Sequence, residues 1–291
     1  MSIQLLKEHI ENTGLSQAKA GAQLGYSPAV VSQYLKGTYK GDVSALDKAV
    51  TELVERQRSK EKDVSAEFVA TPTAKRILEI CGLAHDMSDI YLVIGEAGLG
   101  KTMALKQYTA TKSNVVMLEV DPTFSAKVLL TELCNTLGVT AARNNHAMMT
   151  AIIDKLKGSD RLLIIDEAEL LTYRPLEILR RIHDKTGVGI VLAGMPRLRA
   201  NLRGARGEYK QLYSRIGLAL DIKMRLPADD INMFCEAALG TDAFNERLYK
   251  VSGGNARRLN KLLRGVRRMA VINNTDVNEA IIDRFADMLI D

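Results

Sequence analysis

The chain has 291 residues, room for one to three domains, and its 46% hydrophobic and 26% charged residues fit a globular protein with an ample core. The three cysteines, Cys81, Cys134 and Cys235, lie far apart, which excludes a zinc ribbon or disulfide framework and fits a reducing compartment. No signal-peptide pattern opens the chain and no apolar run approaches the roughly 18 residues of a membrane span, so a cytoplasmic protein without membrane contact is expected, and its net charge of +5 matters more for its distribution than for its size.

Residues 1–55 read as short helices, with apolar residues at helical spacing through Ile3, Leu5, Leu6 and Ile10 and again through Leu46, Val50, Leu53 and Val54. Between them, SQAKAGAQLGYSPAVVSQYLKG has helix-turn-helix spacing. A helix from about Ser16 to Leu24 ends at Gly25, which admits the left-handed conformation; Ser27 then caps a second helix with Pro28 in its first position. Ala20, Leu24, Val31 and Tyr34 are expected to pack the two together. This aims Ser27, Ala29, Ser32 and Gln33 at a DNA groove, with Lys36 and Lys40 near phosphates. Such short side chains make few strong base contacts, which predicts low sequence specificity. A plain three-helix packing module is the alternative. ERQRSKEKDVSAE then reads as a solvated helix end running into a linker at 56–67.

From Phe68 the texture changes. The runs IYLVI (90–94), VVMLEV (115–120), RLLIID (161–166), VGIVLAG (188–194) and IGLALDI (216–222) alternate with amphipathic segments. That alternation predicts an α/β fold, a parallel sheet between helix layers over 68–226. After Pro227 only helical patterns remain, giving a helical segment over 227–291.

GEAGLGKT at 95–102 matches G-x-x-x-x-G-K-[ST] in full, with a strand running into it and a helix running out. Gly95, Glu96, Ala97, Gly98, Leu99 and Gly100 form the turn whose backbone N–H groups face phosphate oxygens, while Lys101, Thr102 and Met103 open the helix. Lys101 is expected to reach the β- and γ-phosphates, and the Thr102 hydroxyl to ligate Mg²⁺. LLIIDEAE at 162–169 delivers Asp166 and Glu167 to the carboxyl end of a strand, where such sheets bind ligands. Asp166 is expected to hold the metal through water and Glu167 to act as general base. The consecutive D-E and the lack of an N-K-x-D predict ATP rather than GTP.

Two arginines fit a nucleotide-gated assembly. Arg215 in QLYSRIG precedes the fifth strand and is placed as a finger toward a neighbouring subunit's γ-phosphate; Arg257 in SGGNARRLN opens a tail helix and could report on the same subunit's γ-phosphate. A surface salt bridge is the alternative for either. Two basic stretches are candidate DNA paths: Arg197, Arg199, Arg203 and Arg206 with Lys210, and a helical face carrying Arg257, Lys261, Arg264 and Arg268. Each reads equally well as a solvated helix face.

The order of phosphate loop, DE-ending strand, S-R before the fifth strand and G-x-A-R in a helical lid resembles AAA+ ATPases. Within them, LKGTYKGD (35–42), FVATPTAKRI (68–77), GEAGLGKT, LLIIDEAELL, GIVLAGMPR and YSRIG resemble the phage Mu family of target-selecting transposition proteins B, over nearly all 291 residues. The resemblance implies an ATP-dependent, sequence-tolerant, double-stranded DNA-binding ATPase. It further implies helical filaments on DNA, delivery of target DNA to a cognate transposase that stimulates hydrolysis, and target immunity. It also places Val69 and Thr71 near the adenine and makes Lys127 a weaker DNA candidate. Met195 departs from the family, standing where the fourth strand normally ends in a polar γ-phosphate sensor. Two rivals stay open: a replication initiator or loader ATPase, and a nucleotide-regulated phage repressor that reads one operator.

Overall fold

The computed structural model describes residues 2–62, 68–140, 142–204, 207 and 209–289. The chain divides into two compact units, Met1–Glu67 and Phe68–Asp291.

The first unit consists of α1 (Ser2–Thr13), α2 (Gln17–Leu24), α3 (Pro28–Leu35) and α4 (Val43–Lys62). The local signals act as read. Ser16 Oγ accepts from the Lys19 N–H, Gly25 ends α2 at φ 75°, and Ser27 Oγ accepts from the Val30 N–H. Leu6, Val31, Tyr34, Leu46, Val50 and Val54 form the core, with Leu24 packed at its edge. Gly21 sets the α2–α3 approach, since a Cβ there would lie 2.7 Å from the Tyr26 carbonyl oxygen. The boundary expected at 55 falls inside α4, which continues to Lys62 because Glu, Arg, Gln and Lys are strong helix formers.

In the second unit, α5 (Pro72–Asp86) leads into β1 (Ile90–Ile94), followed by α6 (Lys101–Thr111), β2 (Val115–Glu119), α7 (Ala126–Leu137) and α8 (Asn145–Leu156). Then come β3 (Leu162–Asp166), a 3-10 turn (Ala168–Leu170), α9 (Tyr173–Thr186), β4 (Gly189–Gly194), α10 (Arg197–Arg203), α11 (Lys210–Tyr213) and β5 (Ile216–Asp221). The lid is α12 (Ala228–Leu239), α13 (Asn245–Ser252), α14 (Ala256–Asn273) and α15 (Glu279–Ala286).

All strand pairs are parallel, in the order β2-β3-β4-β1-β5. Strand alternation splits the core into two layers. Ile90, Leu92 and Ile94 face a cluster built with α7, α8, α9 and α10, whereas Tyr91 and Val93 face one built with α5, α6 and the lid. The order matters for the site: β4 lies between β1 and β3, so the loop after β1 and the acidic pair after β3 flank the end of β4.

Candidate active site

The turn leaving β1 is a left-handed backbone. Gly98 has φ 80° and Gly100, the N-cap of α6, has φ 86°. A side chain at Gly98 would also collide with Asn255, whose Oδ1 would lie 2.5 Å from the added Cβ. The turn therefore needs glycine at both places for conformation, and at Gly98 also for closeness to the lid.

Lys101 is only 8% exposed, and its Nζ donates to the Gly95 carbonyl oxygen at 2.7 Å and to that of Glu96 at 2.9 Å. Burial lowers its pKa, and the nearby carboxylates of Asp166, Glu167, Glu169 and Glu96 oppose that effect. Thr102 Oγ1 donates to Asp166 Oδ2 at 2.6 Å, and Asp166 Oδ1 accepts from the Glu167 N–H at 3.0 Å. Burial raises the Asp166 pKa against those two hydrogen bonds and the Lys101 charge. The hydroxyl and carboxylate present oxygen donors side by side, the chemistry a hard cation such as Mg²⁺ requires.

Glu167 follows with φ 56°, a left-handed conformation that costs about 1–2 kcal/mol for a residue with a side chain. Burial first, then the carboxylates of Glu169 and Asp166, hold its pKa above the ordinary value. That direction suits a group meant to take a proton from water.

The lid touches the phosphate loop through its backbone. Asn255 Oδ1 accepts from the Arg258 N–H and so caps α14, while its Nδ2 donates to the Ala97 carbonyl oxygen at 2.9 Å. The Arg257 N–H donates to the Gly98 carbonyl oxygen at 3.2 Å, with the Arg257 side chain exposed. Thr71 is buried and its hydroxyl caps α5 by accepting from the Ala74 N–H; its own N–H donates to the Val69 carbonyl oxygen. Beside it, Asp230 of α12, fully buried, accepts from the Thr73 N–H at 3.2 Å. Since α5 leads directly into the start of β1, its first turn lies toward the carboxyl edge of the sheet, the edge that carries the phosphate loop. Met103, in the first turn of α6, is exposed.

Arg215 stands at the opposite edge. It precedes Ile216 at the amino end of β5 and its Nε lies 2.9 Å from Asp184 Oδ1. The amino end of β5 is the end away from the carboxyl edge that carries the phosphate loop.

Met195 is partly buried just past β4. A Cβ on Gly194 would lie 2.2 Å from Glu169 Oε2, so the end of β4 carries a carboxylate supplied by the 3-10 turn after β3. Sequence reasoning stopped at Asp166 and Glu167 and missed Glu169, Asn255 and Asp230. Asn255 carried a readable signal, an N-cap residue immediately before a helical pattern; Glu169 and Asp230 carried none without the tertiary contacts.

The DNA candidates fall on separate surfaces. In the first unit Ser27, Ala29, Gln33, Lys36 and Lys40 are exposed and Ser32 is half-buried. In the second, α10 belongs with the layer on one face of the sheet and α14 with the layer on the other. On α10, Arg197 NH2 lies 3.7 Å from Glu169 Oε1, Arg199 NH1 lies 3.7 Å from Asp221 Oδ2, and Arg203 NH2 donates to the Tyr213 hydroxyl at 2.8 Å. Lys261, Arg264 and Arg268 are exposed on α14, and Lys127 is exposed in the first turn of α7. Arg206 lies outside the described residues.

The chain is similar to several known proteins. A family model described as an AAA domain matches residues 85–202. The Mu-like prophage FluMu DNA transposition protein B of Haemophilus influenzae is 29% identical over 234 residues, covering 78% of this chain and 82% of that one. The ATP-dependent target DNA activator B of Escherichia phage Mu is 32% identical over 230 residues, covering 77% and 73%. Among solved structures, the ORC2 protein of Aeropyrum pernix superposes with TM-score 0.58 at 16% identity, covering 78% of this chain and 71% of that one. A Thermotoga maritima RuvB variant gives TM-score 0.52 at 21% identity, covering 79% and 71%. At these identities the two structures speak for the fold.

Proposed function

We propose, from the premise that this chain belongs to the family of the phage Mu ATP-dependent target DNA activator B, that it assembles on DNA when ATP is bound and hands that DNA to a transposase. It is an ATPase of the AAA type and acts in ATP-dependent activation of transposition targets. The finer reading is that it binds double-stranded DNA with little regard to sequence, forms helical oligomers, and is cleared from DNA when the transposase stimulates hydrolysis. No helix among the described residues is long and apolar enough to cross a membrane.

The observation that carries the reading is the joined pair Thr102–Asp166 beside Lys101, all three set at the carboxyl edge of one sheet. Lys101 exchanges its two loop carbonyls for the β- and γ-phosphates, and the loop N–H groups hold the remaining oxygens. Thr102 and Asp166 would hold Mg²⁺, which supplies charge neutralisation on the phosphates. Glu167 orients a water and accepts its proton during attack. Arg215, half-exposed at the amino end of β5, meets a neighbour's γ-phosphate, and Arg257 approaches the phosphates of its own subunit from the lid. Exposed Ser27, Ala29, Gln33 and Lys36 and half-buried Ser32, with the arginines of α10, the basic face of α14 and Lys127, contact DNA mainly through phosphates.

The test measures binding to unrelated duplexes of increasing length, with ATP, with ADP and without nucleotide, for wild type and Glu167→Gln. The variant is expected to bind ATP and DNA and to lose hydrolysis by about 100-fold or more. ATP-dependent binding that strengthens with length and ignores sequence supports the reading. Tight binding to one sequence regardless of nucleotide, or wild-type hydrolysis by Glu167→Gln, refutes it.

A further inference from the structure

Among the described residues, Tyr173 is the one aromatic side chain that stands exposed, at 41%. It is the first residue of α9, and its ring lies on that of Tyr209 with centroids 4.0 Å apart and planes 20° from parallel. Tyr209, the N-cap residue of α11, is half-buried and packs against the same core layer as Tyr213. The stack is thus anchored through Tyr209, and Tyr173 is its solvent side. Beside it the Arg203 guanidinium lies over the Tyr213 ring, 4.7 Å from the centroid, and donates to the Tyr213 hydroxyl at 2.8 Å. The Tyr209 N–H donates to the Arg203 carbonyl oxygen at 3.2 Å, so the arginine and the stack share one turn. Arg174 and Lys210, next in the chain to the two stacked tyrosines, are exposed, as is Arg203. The acids of α9 already have partners: Glu177 pairs with Arg180 and Arg181, and Asp184 with Arg180 and Arg215.

A ring left to water gains by being covered, and the cations beside this one favour a polyanion that carries flat apolar groups. Nucleic acid has both, in its phosphates and its bases. A closed duplex can use only the cations, because the faces of its bases are already covered by their neighbours. An unpaired base can use both. It extends the Tyr209–Tyr173 stack by one layer while its flanking phosphates meet Arg174, Arg203 or Lys210. Every base has a π-face, so such a contact tolerates any sequence, in keeping with the short side chains of the helix-turn-helix. Resting on the proposal that α10 faces DNA, we infer that the Tyr173–Tyr209 stack is a platform for an unpaired nucleobase. The protein then holds a single strand, or a locally opened duplex, and not closed duplex alone.

The experiment measures DNA binding by the full chain with ATP, to a thymidine single strand and to an intact duplex, for wild type, Tyr173→Ala, Tyr173→Leu and Tyr173→Phe. Melting temperature is followed alongside. A wild type that binds neither DNA refutes the DNA reading itself, and this arm is scored first. Given binding, Tyr173→Ala is expected to weaken single-strand affinity by about 5- to 150-fold, the usual loss of one base–aromatic stack. Tyr173→Leu, which keeps apolar bulk without a π-face, falls with it, and Tyr173→Phe stays within about threefold of wild type. Photocross-linking reads the contact itself: iododeoxyuridine in the single strand is expected to join Tyr173, located by mass spectrometry of the digest. The same base paired inside the duplex separates the two sources. A cross-link from the single strand alone means that the strands must already be open; any cross-link from the paired position means that the protein draws a base out of the duplex. The inference is overturned if wild type binds the duplex alone, or if folded Tyr173→Ala or Tyr173→Leu keeps wild-type single-strand affinity. It is equally overturned if Tyr173→Phe loses as much as Tyr173→Ala, or if neither DNA cross-links at Tyr173. Should Tyr173→Ala fail to fold, the leucine and phenylalanine variants and the wild-type cross-link still decide.

Discussion

Replacing Thr102 by valine removes a hydroxyl and leaves the side-chain shape nearly intact. The hydroxyl donates the 2.6 Å hydrogen bond to Asp166 Oδ2, and Asp166 is 1% exposed, so water has little access to the abandoned oxygen. Losing a hydrogen bond to a buried charged group costs about 1.5–3 kcal/mol. The second unit runs from Phe68 to Asp291, a size for which each kcal/mol moves the melting point by about 2–4 °C, so a fall of roughly 4–8 °C is expected for a loss near 2 kcal/mol. Scanning calorimetry of the full chain without nucleotide or metal reads this directly, because no ligand contributes. Thr102→Ser retains the donor and should recover most of the loss. A valine variant that melts with wild type, or a serine variant that falls equally far, would refute the view that Thr102 and Asp166 are joined before nucleotide arrives.

Asn255→Ala removes both the cap of α14 and the bond to the Ala97 carbonyl oxygen; capping alone contributes about 0.5–2 kcal/mol. ATP affinity by calorimetric titration should weaken, whereas Asn255→Asp, which keeps the cap and loses the Nδ2 donor, should fall between; equal affinity in all three would remove the lid contact from the argument. Burial pushes the Cys81 and Cys235 thiols up to about 12, so iodoacetamide at pH 8 should leave both unmodified in the folded protein and alkylate them in denaturant. The sign for stability follows: the unfolded thiols ionise first, so this contribution is intact below about pH 8.5 and lost as pH rises toward 12, readable as a falling melting point across that window.

The five strands were legible because each is a short apolar run bounded by polar residues, and all lie within a residue or so of the predicted segments. The helix-turn-helix was legible because Ser16, Gly25, Ser27 and Pro28 act locally through caps and allowed dihedrals. The order β2-β3-β4-β1-β5 was not, since parallel runs of similar composition carry no pairing code. The phosphate loop and the acidic pair were legible for the opposite reason, a fixed spacing imposed by the chemistry of a phosphate. Glu169 and Asp230 meet partners far along the chain, Gly194 and Arg197 for one and Thr73 for the other, and only folding reveals such pairs.

The lid is more than a cover. Leu226, Ile231, Cys235, Leu248, Leu259 and Leu262 share one apolar cluster with Tyr91, Val93 and Ile77, and the Asp230–Thr73 bond spans 157 residues. The carboxyl-terminal helices thus complete the wall of the very layer that the first helix and first strand begin. In cooperative terms, Phe68 to Asp291 should melt as one transition, and a nascent chain can bury this face only after its last helices are made. Full detachment of these helices would expose that shared apolar layer to water.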